Sequence, residues 1–155
     1  MIIIMKRKLL VIIGFCLLVL IIFYFIFFDY GFVIKINWGI SIPYRSFYKE
    51  IYQKDSGPSF NGDGTRYHVF SYKNEKYIDE MFEWDKIDED SNFNHIELME
   101  RELDRIMVLE KDRPDYSKCR YWYNFEKNTS DWILDWIIIC NNTKENKFYV
   151  VEYFL

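Results

Sequence analysis

The sequence predicts an α+β protein in which an N-terminal transmembrane helix is followed by an antiparallel sheet of about five or six strands with one main helix packed across it. Three observations predict this fold. An uncharged apolar run fills residues 9–28, strand-like alternation recurs through the rest of the chain, and one amphipathic helical segment interrupts the strands. The last strands follow one another closely enough to form a C-terminal β-meander.

The apolar run, residues 9–28, has the length of a membrane span. At about 1.5 Å per residue its helix would be about 30 Å long, which is the thickness of the hydrocarbon core of a bilayer. A cleaved signal peptide is the alternative interpretation. Such peptides have shorter apolar regions that end in small residues, whereas this run ends in Phe27 and Phe28. The sequence therefore favours a retained single-pass anchor in the cell membrane.

Charge predicts the orientation of this anchor. A basic cluster, residues 6–8, directly precedes the span, and Asp29 follows it. Cationic flanks stay in the cytoplasm, so we expect residues 1–8 to be cytoplasmic and residues 29–155 to form an extracytoplasmic domain. That domain contains 17 basic and 24 acidic residues, a net charge of −7. Such a surface disfavours nucleic acid as a partner.

Strand patterns predict the sheet. The first segment, residues 34–42, alternates strictly between apolar and polar residues and ends at Pro43, although an extended stalk beyond the membrane is the alternative. The further predicted strands are residues 48–54, 66–72, 116–126, 132–141 and 147–154.

Two helices are predicted between these strands. Asn74 is suited to cap a short helix. The main helix begins at Asn94, with Glu97 placed as in a capping box, and Pro114 ends it. Its apolar stripe consists of Ile96, Met99, Leu103, Ile106 and Met107.

The meander also predicts a disulfide. A two-residue turn at residues 129–130 would place Tyr121 opposite Ile138 and Cys119 opposite Cys140. Facing Cα atoms in an antiparallel pair are about 4.5–5.5 Å apart, which a disulfide accepts. Two buried free thiols are the alternative. A catalytic thiol is disfavoured because neither cysteine has a histidine near it in sequence.

The loop of residues 55–65 is the most motif-like part of the chain. Asn-Gly and Asp-Gly pairs, at 61–62 and 63–64, favour tight turns with positive φ. The spacing is similar to that of a calcium-binding loop. However, Ser59 and Phe70 occupy positions that would need carboxylates, so an EF-hand is rejected.

Four residues around this loop are candidate functional residues, namely Asp55, Asn61, Asp63 and His68. They lie close in sequence on one predicted hairpin. Asp55 and Asp63 could converge on a metal ion, or could act with His68 in a hydrolase of the cell envelope. A turn that needs the glycines for its conformation is the simpler interpretation.

Two stretches resemble a family of small membrane-anchored or exported proteins of low-GC Gram-positive bacteria. These are Ile51-Tyr52-Gln-Lys-Asp55 followed by Phe60-Asn-Gly-Asp-Gly64, and the ending Phe148-Tyr-Val-Val-Glu152. In that family the Asp is followed by His-Gly-Gly-Phe-His-Gly-Asp-Gly. Here Ser56-Gly-Pro-Ser59 and Asn61 stand where the family has its histidines. The resemblance implies the same anchored architecture and no particular activity.

The sequence contains no phosphate-binding loop and no C-x-x-C or H-E-x-x-H pattern, and it implies no cofactor. We therefore expect a non-catalytic interaction or accessory module, of the kind that includes immunity proteins, with a protein partner in the envelope. The alternatives are the hydrolase or metal-binding domain that uses the 55–65 loop, and a structural subunit of a membrane complex.

Overall fold

The computed structural model describes residues 12–23, 30–42, 48–57, 63–84, 95–127 and 133–155. The chain divides into two compact units, Met1–Pro43 and Tyr44–Leu155.

The described part of the first unit contains two helices, α1 over residues 12–23 and α2 over Tyr30–Trp38. Helix α1 lies inside the predicted span, and the remaining residues of that span, 9–11 and 24–28, lie outside the described residues. Among the residues that the structure describes, no helix combines the length and the apolar character needed to cross a membrane.

Helix α2 corrects the prediction of a strand at residues 34–42. Tyr30, Ile34 and Trp38 are spaced four residues apart, which places them on one face of a helix. The same spacing would also place Ile34 and Trp38 on one face of a strand, so it fits both structures. Ile36, which the strand pattern placed with them, is 65% exposed. Gly39 ends the helix, because its φ of +69° is left-handed and its N–H donates to Lys35 O at 2.9 Å.

The second unit is built on a five-stranded antiparallel sheet with the order β1-β2-β5-β4-β3. Its strands are β1 Tyr48–Asp55, β2 Gly64–Tyr72, β3 Cys119–Lys127, β4 Ile133–Asn142 and β5 Lys147–Phe154. These confirm the five strands predicted within residues 48–154, and β3, β4 and β5 form the predicted meander.

Helix α3, Glu75–Asp79, begins as predicted, with Asn74 Oδ1 accepting from Lys76 N at 3.0 Å. Helix α4, His95–Arg105, is the predicted main helix, although its expected cap Asn94 lies outside the described residues. Its apolar side packs on one face of the sheet. The core there contains Tyr67, Val69, Met99, Leu103, Ile106, Val108, Tyr121, Trp136, Ile138, Cys140, Tyr149 and Val151.

The predicted register of β3 on β4 is wrong by two residues. Tyr121 pairs with Cys140 rather than with Ile138, and Cys119 pairs with Asn142. The cause is the connection: the paired strands end at Lys127 and Ile133, so the two-residue turn was too short, and an irregularity precedes Lys127. A shift of two residues leaves every side chain on its face of the sheet. For this reason the sorting of apolar and polar residues could not distinguish the two registers.

Candidate functional site

The predicted functional loop begins at Asp55, the last residue of β1, and its carboxylate is used within the loop itself. Asp55 Oδ1 accepts from Gly57 N at 2.8 Å, which is the short turn that aspartate often forms with the following backbone. Asn61 lies outside the described residues, and Asp63 directly precedes β2. The described contacts of this loop are therefore those of a turn.

The end of the loop is fastened to the core. Gly64 has φ +136°, and a Cβ added there would lie 2.0 Å from Ser56 Oγ, so this position requires glycine. Next to it, Thr65 is fully buried, and its Oγ1 donates to Glu102 Oε2 of α4 at 2.7 Å. Glu102 is 3% exposed and is also flanked by two arginines of its own helix, at 3.3 Å each.

His68 lies on β2, with its Nδ1 2.5 Å from Glu50 Oε1 of β1. Its ring is also stacked on Phe70, with centroids 6.0 Å apart. The acidic residue that it contacts is thus Glu50, and not Asp55. Across the described parts of the chain, no group of three or more His, Cys, Asp or Glu side chains could hold a metal ion.

The predicted disulfide is confirmed. Cys119 and Cys140 are bonded, with their Cα atoms 5.6 Å apart. Because of the register shift, the two residues are diagonal neighbours on one face of the sheet rather than directly opposed. The bond joins the first residue of β3, an edge strand, to the buried part of β4.

Residues 106–118, here called the corner segment, connect α4 to β3, and sequence analysis placed their first half inside the helix. The helix instead ends at Arg105. Met107 has φ +57°, its N–H donates to Asp104 O, and the N–H of Val108 donates to Leu103 O, both at 2.9 Å. This is a Schellman motif in which Met107 occupies the position usually taken by glycine. The reversal buries both Ile106 and Val108, which a continuing helix would separate around its axis.

Arg113 fixes the corner segment to α4. Its guanidinium donates to Glu100 Oε2 and Asp104 Oδ1, each at 2.6 Å, and to Val108 O at 2.7 Å. Tyr116 donates to the other oxygen of Glu100. Burial and then this carboxylate hold the pKa of Tyr116 above its usual range, so the hydroxyl keeps its proton.

An open cavity of about 700 Å³ lies beside this network. Four carboxylates line it, together with Arg113 and Tyr116: Glu100, Asp104, Glu110 and Asp115. Three of the four already accept donors from the protein, because Asp115 is bonded to Ser117 and Lys118. The cavity is acidic, but most of its charge is balanced internally.

Two large apolar side chains on the corner segment are exposed to solvent. Met107 is 75% exposed and Leu109 is 61% exposed. We call these two residues the apolar tip. Their main chain is held in place, because Lys54 Nζ donates to Met107 O at 2.5 Å and Arg113 binds the carbonyl of Val108. The tip thus presents apolar surface on a fixed backbone.

The apolar tip was not predicted from the sequence, because residues 106–113 have the pattern of a helix C-terminus. Met107 matched the apolar stripe of α4, and Arg113 matched a helix C-terminus before Pro114. One available signal was that Ile106, Val108 and Leu109 cannot all lie on a stripe that also contains Leu103.

Comparisons with known proteins add no identification. No protein-family model, no curated protein and no solved structure matches the chain.

Proposed function

We propose that the protein is a membrane-anchored, extracytoplasmic interaction module without catalytic activity, and that it docks onto an envelope protein through the apolar tip. The exposure of Met107 and Leu109 on a fixed backbone carries this proposal. An accessory subunit and an immunity factor are the two kinds of protein that would use such a module.

The anchor is supported by the surface of α1. Helices that face lipid are apolar on every side. The apolar side chains of residues 12–23 that are between 46% and 66% exposed are Ile12, Ile13, Phe15, Leu17, Leu18, Leu20, Ile21, Ile22 and Phe23. The extracytoplasmic location is supported by the disulfide between Cys119 and Cys140, because such bonds persist in oxidising compartments.

Docking at the tip is supported by its energetics. The backbone of the tip is already fixed, so binding would bury two large apolar side chains and would need to order only those side chains. Burying one Met or Leu side chain is worth about 1.5–3 kcal/mol. Met107 also retains a left-handed backbone, which costs a residue with a side chain about 1–2 kcal/mol.

Photo-crosslinking in living cells tests this docking. A benzophenone amino acid at position 107 should give a discrete adduct of protein mass, and Leu109→Ser should reduce its yield. Position 144, an exposed residue of the turn between β4 and β5, is the matched control. Equal adducts at both positions, or adducts to lipid alone, would contradict docking at the tip.

Thiol labelling tests the topology separately. A membrane-impermeant maleimide applied to intact cells should label the partly exposed Cys119 only after a membrane-impermeant reductant is added. Labelling that requires lysis of the cells would place the domain on the cytoplasmic side and would end the proposal.

The hydrolase or metal-binding alternative stays a prediction from the sequence. The described contacts give it no support, because Asp55 bonds its own loop and His68 contacts Glu50.

A further inference from the structure

The two edges of the five-stranded sheet differ in how they are protected against pairing with a further strand. Strands β1 and β3 form these edges. An edge strand turns unpaired backbone N–H and C=O groups away from its sheet, and proteins commonly protect such an edge with lysines or with a bulge. Strand β1 has both protections, because Lys49 and Lys54 lie along it and a bulge between Glu50 and Tyr52 interrupts its ladder.

Strand β3 has neither protection over residues 119–125. It pairs with β4 without interruption from Cys119 to Phe125, and its irregularity follows only after that. This stretch contains no lysine, and the guanidinium of Arg120, its one charged group, binds Asp79 next to it in space. Within the described parts of the chain, the backbone of residues 120–124 forms hydrogen bonds with β4 alone. The other edge of this stretch is therefore open to a further strand.

The middle of β3 is accessible on both faces of the sheet. Tyr123 is 39% exposed, and the next residue, Asn124, is exposed as well. The ring of Tyr123 lies against that of His95, the first residue of α4, with centroids 3.9 Å apart. On the opposite face, Trp122 stacks on Phe82 with centroids 4.5 Å apart. A strand added at this edge would thus meet aromatic rings that are already packed.

The sequence of β3 is complementary to itself in an antiparallel pair. Tyr123 is the middle residue of the strand, so two copies overlap along their whole length when Tyr123 faces Tyr123 of a second copy. Tyr121 then faces Phe125, and Trp122 faces Asn124. Each of these pairs lies on one face, because side chains alternate with a period of two. On the face that carries α4, every central pair is aromatic with aromatic, a combination that stabilises antiparallel sheets.

We propose that the protein forms a symmetric dimer in which β3 of one copy pairs antiparallel with β3 of a second copy. The two-fold axis passes beside Tyr123, and the two five-stranded sheets become one continuous sheet with β1 at each end. In this arrangement one surface binds its own copy, as in most homodimers, and the backbone groups at the edge gain partners. The inference goes beyond docking at the apolar tip and does not depend on it.

Photo-crosslinking of the full-length chain in its membrane tests the dimer. Two differently tagged copies are expressed together, each with a benzophenone amino acid at position 123. We expect an adduct of twice the mass of the chain that carries both tags. Position 53, an exposed residue of β1, is the matched control on the protected edge and should give no such adduct.

A charged substitution at the edge tests the same contact without a crosslinker. Asn124→Lys places a lysine on the open edge, and a symmetric dimer contains it twice. We expect the dissociation constant of the dimer, measured by sedimentation equilibrium in dodecyl maltoside micelles, to rise about fivefold or more. Gln53→Lys adds the same charge to β1 and should leave that constant unchanged. Both side chains are exposed, so guanidinium titration should show the stability of wild type for each variant.

Three results would overturn the inference. The first is a chain that stays monomeric in micelles and gives no adduct of twice its mass in the membrane. The second is an adduct of position 123 with a different protein, which would assign the open edge to a strand of that protein. The third is a dimer that Asn124→Lys leaves as tight as in wild type, since its contact would then lie elsewhere in the chain.

Discussion

The two cavities that flank the corner segment differ in what their polar groups have already bound. The larger, of about 700 Å³, is lined by groups that pair with one another, with Arg113 between Glu100 and Asp104. The smaller, of about 230 Å³, is lined by three acidic and three basic residues, among which Glu145 and Lys147 pair, and by Tyr149, whose hydroxyl has no hydrogen bond to a described residue. The size of a cavity therefore does not determine how fully the polar groups of its lining are bonded.

The polar groups beside the larger cavity bond one another and stabilise the corner segment, whereas on the side of the smaller cavity the Tyr149 hydroxyl takes no part in the described hydrogen bonds. Arg113 places the apolar tip by binding the Val108 carbonyl. The disulfide connects the two sides, because Cys119 directly follows the corner segment and Cys140 is the cross-strand neighbour of Tyr149. Substitutions on the two sides should therefore differ in how much they lower the free energy of unfolding.

Loss of the disulfide is expected to have the largest effect on folding. The bond closes a loop with a sequence separation of 21 residues, which stabilises by about 3 kcal/mol in the chain-entropy model. Replacing Cys119 and Cys140 by alanine should lower the free energy of unfolding by that amount in guanidinium titrations. Cys16→Ser is the control, because this free cysteine is exposed on α1 and should have little effect. Equal stability of the two variants would show that the bond does not form in the native protein.

Arg113→Met should have the next largest effect. It leaves Glu100, Asp104 and the Val108 carbonyl without a charged donor, and partly exposed networks of this kind are worth about 2–3 kcal/mol. Equilibrium unfolding of the full chain measures the loss. Lys118→Met removes an exposed ion pair with Asp115 and should leave the free energy of unfolding nearly unchanged, because solvent screens the pair. Similar costs for both variants would mean that the network does not order the corner segment.

Tyr67→Phe should have an intermediate effect. Tyr67 is fully buried, and its hydroxyl donates to Asp112 O at 2.6 Å. Phenylalanine fills the same space but leaves this carbonyl without its donor, so we expect a loss of about 1 kcal/mol. Guanidinium titration of wild type and variant gives the value. An unchanged free energy of unfolding would show that water replaces the bond without cost.

The sequence predicted the sheet better than the connections. Strands β1 to β5 were predicted because each alternates or is strongly apolar and ends at turn formers, which are local signals. The disulfide was predicted although the register was wrong, because diagonal cysteines two residues out of register are still within bonding reach. A two-residue shift keeps apolar and polar side chains on the same faces of the sheet, so their pattern could not fix the register. The register depends on the length of the connection between Lys127 and Ile133.

The end of α4 and both cavities were not predictable in the same way. The Schellman turn at Met107 depends on contacts distant in sequence, since Lys54 and Arg113 bind the carbonyls of this turn. Helix α2 was missed because Ile34 and Trp38 satisfy both the strand and the helix period. Which tyrosine lacks a partner follows from the packing of three strands against the corner segment, and no pattern in the sequence encodes it.

Tyr149→Phe should have the smallest effect on folding and sharpens the comparison most. Its hydroxyl has no partner among the described residues, and the side chain lines the smaller cavity, so phenylalanine removes a polar atom without breaking a bond within the described chain. We expect the free energy of unfolding to stay within about 0.5 kcal/mol of wild type or to rise. Tyr67→Phe is the matched control, because it makes the same chemical change at a tyrosine whose hydroxyl donates to Asp112 O. A loss equal to that of Tyr67→Phe would show that the Tyr149 hydroxyl is bonded within the folded chain, and the distinction between the two cavities would then fail.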